Sequence, residues 1–282
     1  MTVAPTPIEA CCANLYGHPL VELVAGQSFH PGGLASTQRL LDAARLPRGA
    51  RLLDAGCGLG ASARLAALEF GLDVDACDVS GAAIRRATTL AADAGSAVRF
   101  VEASLLHLPF EDGRFAGILA ECVLSTTAKG QALAELRRVM VAGGAFLMTD
   151  VPASDDVVAP DLLAEALCLV GAWRPGELED LAASSGFEIE SAWDETVSVL
   201  ALLDRLETRA GLLATLGRDL ANVEALAGQI AGLDTKRIGS AFRETRQLVN
   251  EGRIGYRAVV ARASRSTVNA DPRASVAAMY FG

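Results

Sequence analysis

Two acids and three glycines are the residues of this chain best suited to chemistry. Asp54-Ala55-Gly56-Cys57-Gly58-Leu59-Gly60 follows a short apolar run, and Asp78 ends a second run 24 residues after Asp54. Glycines at 56, 58 and 60 let a ligand approach the backbone and permit a turn at positive φ. A strand, a glycine turn and a helix in that order form a ligand site in a doubly wound sheet. With Ala61 the turn also satisfies a dinucleotide fingerprint, so the glycines alone do not choose the ligand. Asp54 separates the readings. A carboxylate at the mouth of the loop repels a pyrophosphate and suits a ligand bearing ammonium and sulfonium charges. Asp78 is placed to accept hydrogen bonds from ribose hydroxyls. S-adenosylmethionine (SAM), a phosphate-free cationic nucleoside, fits both requirements.

A second group of reactive side chains falls where the acceptor of such a ligand's chemistry would sit. Glu121 and Cys122 follow a predicted fourth strand, whose carboxyl end faces the ligand crevice. Glu121 can bind a cation or take a proton. His30, on the His30-Pro31-Gly32-Gly33 turn, is a candidate base in a segment able to cover the pocket, and His18 is a weaker one. Cys168 lies downstream of the fifth strand. Cys57 and Cys77 read as packing residues, since free cysteine is among the most buried residue types.

These residues need a frame to hold them. Short apolar strands at 51–54, 74–78, 98–101, 115–121 and 145–151 alternate with helical segments at 61–70, 80–94 and 131–140. That alternation predicts an α/β fold with a doubly wound, mostly parallel sheet. Val141-Ala142-Gly143-Gly144 reads as a turn. Helices are also expected over 34–46, 162–170 and 174–185, with a sixth strand at 187–193 and a seventh at 256–261. The expected organisation is an N-terminal lead-in or lid (1–47), a cofactor-binding core (48–195) and a helical insertion (196–254). A last core strand (255–262) and a flexible tail (263–282) complete it. The insertion carries a leucine face (Leu200, Leu202, Leu203, Leu206, Leu212, Leu213, Leu216) that must pack on its own domain or on a second copy.

Composition narrows the functions. Hydrophobic residues make up 51% of the 282, charged residues 21%, and the formal net charge is -9. An acidic chain is not drawn to polyanions, so no nucleic acid and no anionic membrane is expected as a partner. No apolar run is long enough to span a bilayer, and the first ten residues lack a secretory signal, so a cytoplasmic location is expected. The six cysteines form no Cys-x-x-Cys pair, and no metal site is expected.

Over about residues 48–152 the chain resembles the class I SAM-dependent methyltransferases. The resemblance rests on Leu53–Gly60, Asp78-Val79-Ser80, Leu108–Phe115, Glu135–Val139 and Gly143-Gly144. It implies a Rossmann-like, seven-stranded sheet with an antiparallel last strand. It also implies SAM binding by Asp54, Gly56, Gly58, Gly60, Asp78, Val79, Ser104, Leu105 and Glu121. Ser104 and Leu105 stand where many relatives have an Asp-Ala pair at the adenine. The long insertion before the last strand departs from the compact family pattern. The segments around Cys122 and Cys168 resemble, in part, the cysteine segments of arsenite methyltransferases, with Glu121 and Ser125 replacing asparagines and Ala63 replacing a cysteine. Cys11-Cys12 align weakly with that family's N-terminal thiols. Three readings follow. The first is a small-molecule methyltransferase acting on a thiol-bound metalloid held by Cys122 and Cys168. The second is methylation of an organic acceptor, with structural cysteines. The third is a non-catalytic SAM-binding protein, possible as a homodimer.

Overall fold

The computed structural model describes residues 26, 28, 30–157, 169, 171–219 and 235–265. Helix α1, Gly33–Ala44, turns Ser36, Thr37, Leu40, Leu41 and Ala44 inward along one face. Arg45, in the left-handed region at φ 52°, ends it. Then come β1 (Arg51–Ala55), α2 (Ala61–Leu68), β2 (Asp73–Asp78), α3 (Gly81–Asp93), β3 (Arg99–Glu102) and β4 (Phe115–Glu121). They are followed by α4 (Lys129–Val139), β5 (Met140–Asp150), α5 (Glu177–Ser184), β6 (Phe187–Asp194), α6 (Val197–Asp219), α7 (Thr235–Asn250) and β7 (Arg257–Ala263). Ser80 caps α3, its Oγ accepting the Ala83 amide at 3.3 Å. The expected helix at 162–170 lies almost wholly outside the described residues.

The seven strands form one sheet in the order β3-β2-β1-β4-β5-β7-β6. The pairs among β1 to β5 are parallel, and β7 runs antiparallel to both its neighbours. This is the doubly wound, mostly parallel sheet that the alternating pattern predicts, with the seven strands and antiparallel last strand that the resemblance implies. Strand order reverses between β1 and β4, so the ligand crevice opens where these two strands end, at Ala55 and Glu121. Side chains alternate across the sheet. Leu52, Val74, Leu119 and Leu147 face α1 and α2, while Leu53, Cys77, Ile118 and Phe146 face α4 and α5. Both faces are buried, which is why the strands read as continuous apolar runs.

One expected turn takes another form. Residues 141–144 lie within β5, whose register on β4 slips between Phe115↔Met140 and Gly117↔Ala145. Gly143 at φ 75° absorbs the extra length, so the Gly-Gly pair makes a bulge where a full turn was expected. The helices between β6 and β7 pack on each other and on the strand ends. Val199, Leu202 and Leu203 of α6 share a cluster with Ala241, Phe242 and Val249 of α7 and with Tyr256. Leu212, further along α6, remains 57% exposed. Among the described residues, no helix is long and apolar enough to cross a membrane.

A buried acid fastens the β2 edge. Asp75 is 2% exposed and accepts Arg99 Nε at 2.6 Å and Arg114 Nη2 at 2.9 Å. Burial alone would raise its carboxyl, but the two guanidiniums outweigh burial and hold it below the usual range. Asp75→Ala should destabilise the fold by about 1–3 kcal/mol. A depressed carboxyl contributes stability above its unfolded value of about 3.9, and that stability is lost as pH falls through the folded value. The gap between wild-type and variant melting temperatures should therefore close on acidification below about pH 4, as thermal melts would show.

Candidate active site

The glycine loop joins β1 to α2, and its three glycines adopt φ of 77° (Gly56), 51° (Gly58) and 69° (Gly60). Two of them are demanded by packing. A Cβ on Gly56 would overlap the Val123 side chain, and one on Gly60 would sit 2.6 Å from the Phe100 ring. Gly58 has nothing within 4 Å of its Cβ position, so its face of the loop is open. The amides of Gly56 and Cys57 donate to the Cys77 carbonyl at 2.8 and 2.9 Å, tying the loop to β2.

Asp78 ends β2 beside that loop. Its Oδ2 accepts the Gly58 amide at 2.9 Å and its Oδ1 accepts the Ser80 amide at 2.8 Å. Burial raises its carboxyl, opposed by the amides of Ser80, Gly58 and Val79. Each oxygen keeps a lone pair for a further donor such as a hydroxyl. Ser104 and Leu105 follow the end of β3, where the Ala103 amide donates to the Asp78 carbonyl at 3.0 Å. The Ser104 hydroxyl oxygen accepts the Leu106 amide at 3.2 Å. The Leu105 side chain is 4% exposed and packs in the core, which leaves its backbone to any ligand.

Asp54 is the most unusual group of the site. It is 3% exposed, and its Oδ2 has no hydrogen-bond partner. Burial, and then the charges of Glu121 and Asp78, push its carboxyl well above the usual range, while the Ala63 amide opposes them. Three carboxyl groups thus converge on a loop whose Gly58 face is open. An orphaned carboxylate oxygen in that setting calls for a cationic ligand.

Glu121 closes the other side. Its oxygens accept Thr37 Oγ1 at 3.1 and 3.0 Å, and its Oε2 accepts Ser62 Oγ at 2.7 Å. His30 Nε2 lies 3.5 Å from the same Oε2. His30 Nδ1 sits 3.1 Å from the Pro31 carbonyl, which can only accept, so Nδ1 donates there. His30 Nε2 is buried and faces this carboxylate, and it makes no hydrogen bond among the described residues. Thr37 and Ser62 were missed in the sequence. Their only signal was a polar residue on the buried face of α1 and another in the first turn of α2.

The cysteines separate. Cys77 is fully buried in the core and Cys57 packs against it from the loop, and burial raises both thiols. Cys122 takes φ 53°, which lets the chain leave β4 sharply. Its thiol donates to Tyr256 Oη at 3.5 Å, and Tyr256 Oη donates to Thr149 Oγ1 at 2.6 Å. Cys168, Cys11, Cys12 and His18 lie outside the described residues. Among the described residues no group of three His, Cys, Asp or Glu could hold a metal ion. Asp150, at the end of β5, was also missed. It accepts the Ser125 and Val151 amides at 2.9 Å each and so holds the turn after Cys122.

Comparison with known proteins places this geometry. Residues 52–144 match the family described as a methyltransferase domain. The uncharacterized methyltransferase YodH of Bacillus subtilis is 34% identical over 45% of this chain and 54% of its own length. The chain spans about half or less of the first curated relatives it matches, at 54%, 36% and 41% of their lengths. Among solved structures, the [4+2]-cyclase SpnF superposes with a TM-score of 0.70 and 22% identity, covering 94% of this chain and 99% of its own. Phosphoethanolamine N-methyltransferase 2 of Haemonchus contortus, in complex with SAM, gives 0.69 and 18% identity, covering 90% of this chain and 57% of its own. The fold is that of the class I SAM-dependent methyltransferases.

Proposed function

We propose that this chain, with its methyltransferase domain at 52–144, transfers the methyl group of SAM to a small organic acceptor. The observation that carries the reading is the buried, unpartnered Asp54 oxygen beside an open glycine loop, with Asp78 held by two amides one strand away. The residues present fit the cofactor of this fold. Asp54 would hold its cationic amino-acid end, the Gly58 face of the loop would lie along it, and Asp78 would receive the ribose hydroxyls. Ser104 and the backbone of Leu105, with Val79, would flank the base. When bound, SAM supplies an electrophilic methyl on a sulfonium. The chain's own residues then orient the acceptor and exclude water. Glu121, with His30, takes the acceptor's proton in the crevice between β1 and β4.

An organic acceptor is better supported than a thiol-bound metalloid. The Cys122 thiol is engaged with Tyr256, and Cys57 and Cys77 pack in the core. The similar proteins whose names give an acceptor act on organic molecules, among them sarcosine, dimethylglycine and phosphoethanolamine. SpnF shows that the fold also occurs in a protein named as a cyclase, so transfer must be measured directly.

Purified protein with methyl-labelled SAM and a panel of small amines, carboxylates, phenols, thiols and phosphate esters provides the test. Label should move to at least one organic acceptor, with stoichiometric S-adenosylhomocysteine. Label moving only to trivalent arsenite, and not in Cys122→Ser, would overturn the organic reading.

A further inference from the structure

Resting on that reading, we infer that Thr37 and Ser62 close a hydrogen-bonded ring with Glu121 that holds its carboxyl in both protonation states, which makes them positioning residues for the base. The three groups come from three elements: Thr37 from α1, Ser62 from α2 and Glu121 from the end of β4. All are withdrawn from water. Thr37 is fully buried, Ser62 is 7% exposed and the Glu121 side chain 5%. A carboxylate in such a place costs free energy unless neighbouring donors meet it.

Each hydroxyl brings one hydrogen and can also accept one. Ser62 Oγ lies 2.7 Å from Glu121 Oε2, the shortest contact of the group, so its hydrogen goes there. Thr37 Oγ1 lies 3.1 Å from Oε1 and 3.0 Å from Oε2, and it donates to the charged carboxylate. The Gly33 carbonyl, the i−4 partner that a helical threonine can take instead, is further off at 3.5 Å. When a proton arrives, Oε2 already holds the Ser62 hydrogen, so the proton settles on Oε1. The Thr37 hydroxyl then turns. Its oxygen accepts from Oε1, and its own hydrogen points to Ser62 Oγ, 3.1 Å away. The ring runs from Oε1 to Thr37, from Thr37 to Ser62 and from Ser62 back to Oε2, and no heavy atom has to move.

Such a ring suits a group that must take a proton in place. During transfer the acceptor atom's bond to hydrogen breaks, and its electron pair stays on that atom, which bonds to the methyl carbon. The hydrogen is left on Oε1. The pair of the breaking carbon–sulfur bond goes to sulfur, leaving S-adenosylhomocysteine, and water takes the proton from Glu121 after the products have left. Only the Thr37 hydrogen turns, so the carboxyl keeps the geometry that proton transfer needs. Valine at position 37 would keep the shape of threonine and could neither donate nor accept. Serine could do both.

The test uses the full chain with carbon-13 in the glutamate side-chain carboxyls, where the Glu121 resonance is the one missing from Glu121→Gln. At neutral pH that resonance should move in Thr37→Val and in Ser62→Ala, and return to its wild-type position in Thr37→Ser. The second readout is methyl transfer from labelled SAM to whichever acceptor the panel identifies. Thr37→Val should lower kcat at least about tenfold, and Thr37→Ser should recover it to within about threefold, with KM for SAM changing less than kcat in both. Ser62→Ala should follow Thr37→Val, and it reports on the ring without touching the packing of α1. A resonance that stays in place in both Thr37→Val and Ser62→Ala overturns the ring. A resonance that moves while kcat is unchanged, or Thr37→Ser as slow as Thr37→Val, overturns the positioning role. If the wild type transfers label to no acceptor while the resonance moves as expected, the proposed function fails and the ring stands.

Discussion

Glu121→Gln should lower turnover about 10²–10⁴-fold, the range that a positioned base contributes. The amide keeps one oxygen to accept Thr37 and Ser62, so α1 and α2 should stay in place. What it loses is the carboxylate beside His30 Nε2 that would take the acceptor's proton. Affinity for S-adenosylhomocysteine should fall less than turnover, although Glu121 also lies close enough to Asp54 at the cofactor loop for its charge to act there. The measurement is label transfer to whichever acceptor the panel identifies, alongside a cofactor titration. Equal losses of cofactor affinity and of turnover would make Glu121 a strut between α1 and α2. His30→Gln should follow in the same direction with a smaller loss.

Asp54→Ala should weaken SAM binding about 10- to 150-fold, the equivalent of ~1.5–3 kcal/mol for a charge-assisted contact. The same substitution should leave the ligand-free protein as stable or more so. It removes a carboxyl that burial, Glu121 and Asp78 all push toward the neutral form. The sign with pH follows from that direction. A carboxyl raised in the folded state contributes its stability fully below its unfolded value of about 3.9 and loses it as pH rises through the folded value. Melting temperatures of ligand-free wild type and Asp54→Asn should therefore diverge in the variant's favour from about pH 4 upward. A variant that melts lower at neutral pH, with unchanged SAM affinity, would mean that Asp54 is a structural acid. Stability given up for ligand affinity is expected of a binding residue.

The frame was legible because its signals are local. Leu52-Leu53 before the glycine loop, Ser80 before α3 and the apolar runs of β4 and β5 each state their own conformation within a few residues. The left-handed glycines were legible for the same reason. The β5 bulge was not, because the Gly143-Gly144 pair reads the same in a turn and in a slipped register, and only pairing with β4 decides.

The site was legible in its acids and illegible in their partners. Glu121 could be placed at a strand end, but Thr37 and Ser62 reach it across 84 and 59 residues of sequence. Cys122 looked like a substrate thiol in its segment, and its hydrogen bond to Tyr256 spans 134 residues. Periodicity reports which face of an element is buried, and says nothing of which elements meet. Leu105 shows the limit from the other side. Its position after β3 fitted a base contact, yet its side chain is committed to the core.

Direct titration of purified protein with SAM tests the central claim most simply, since it needs no knowledge of the acceptor. The account predicts saturable one-to-one binding, lost or strongly weakened in Asp54→Ala and in Asp78→Ala, with both variants folded by circular dichroism. A folded wild-type protein that takes up no SAM would contradict it.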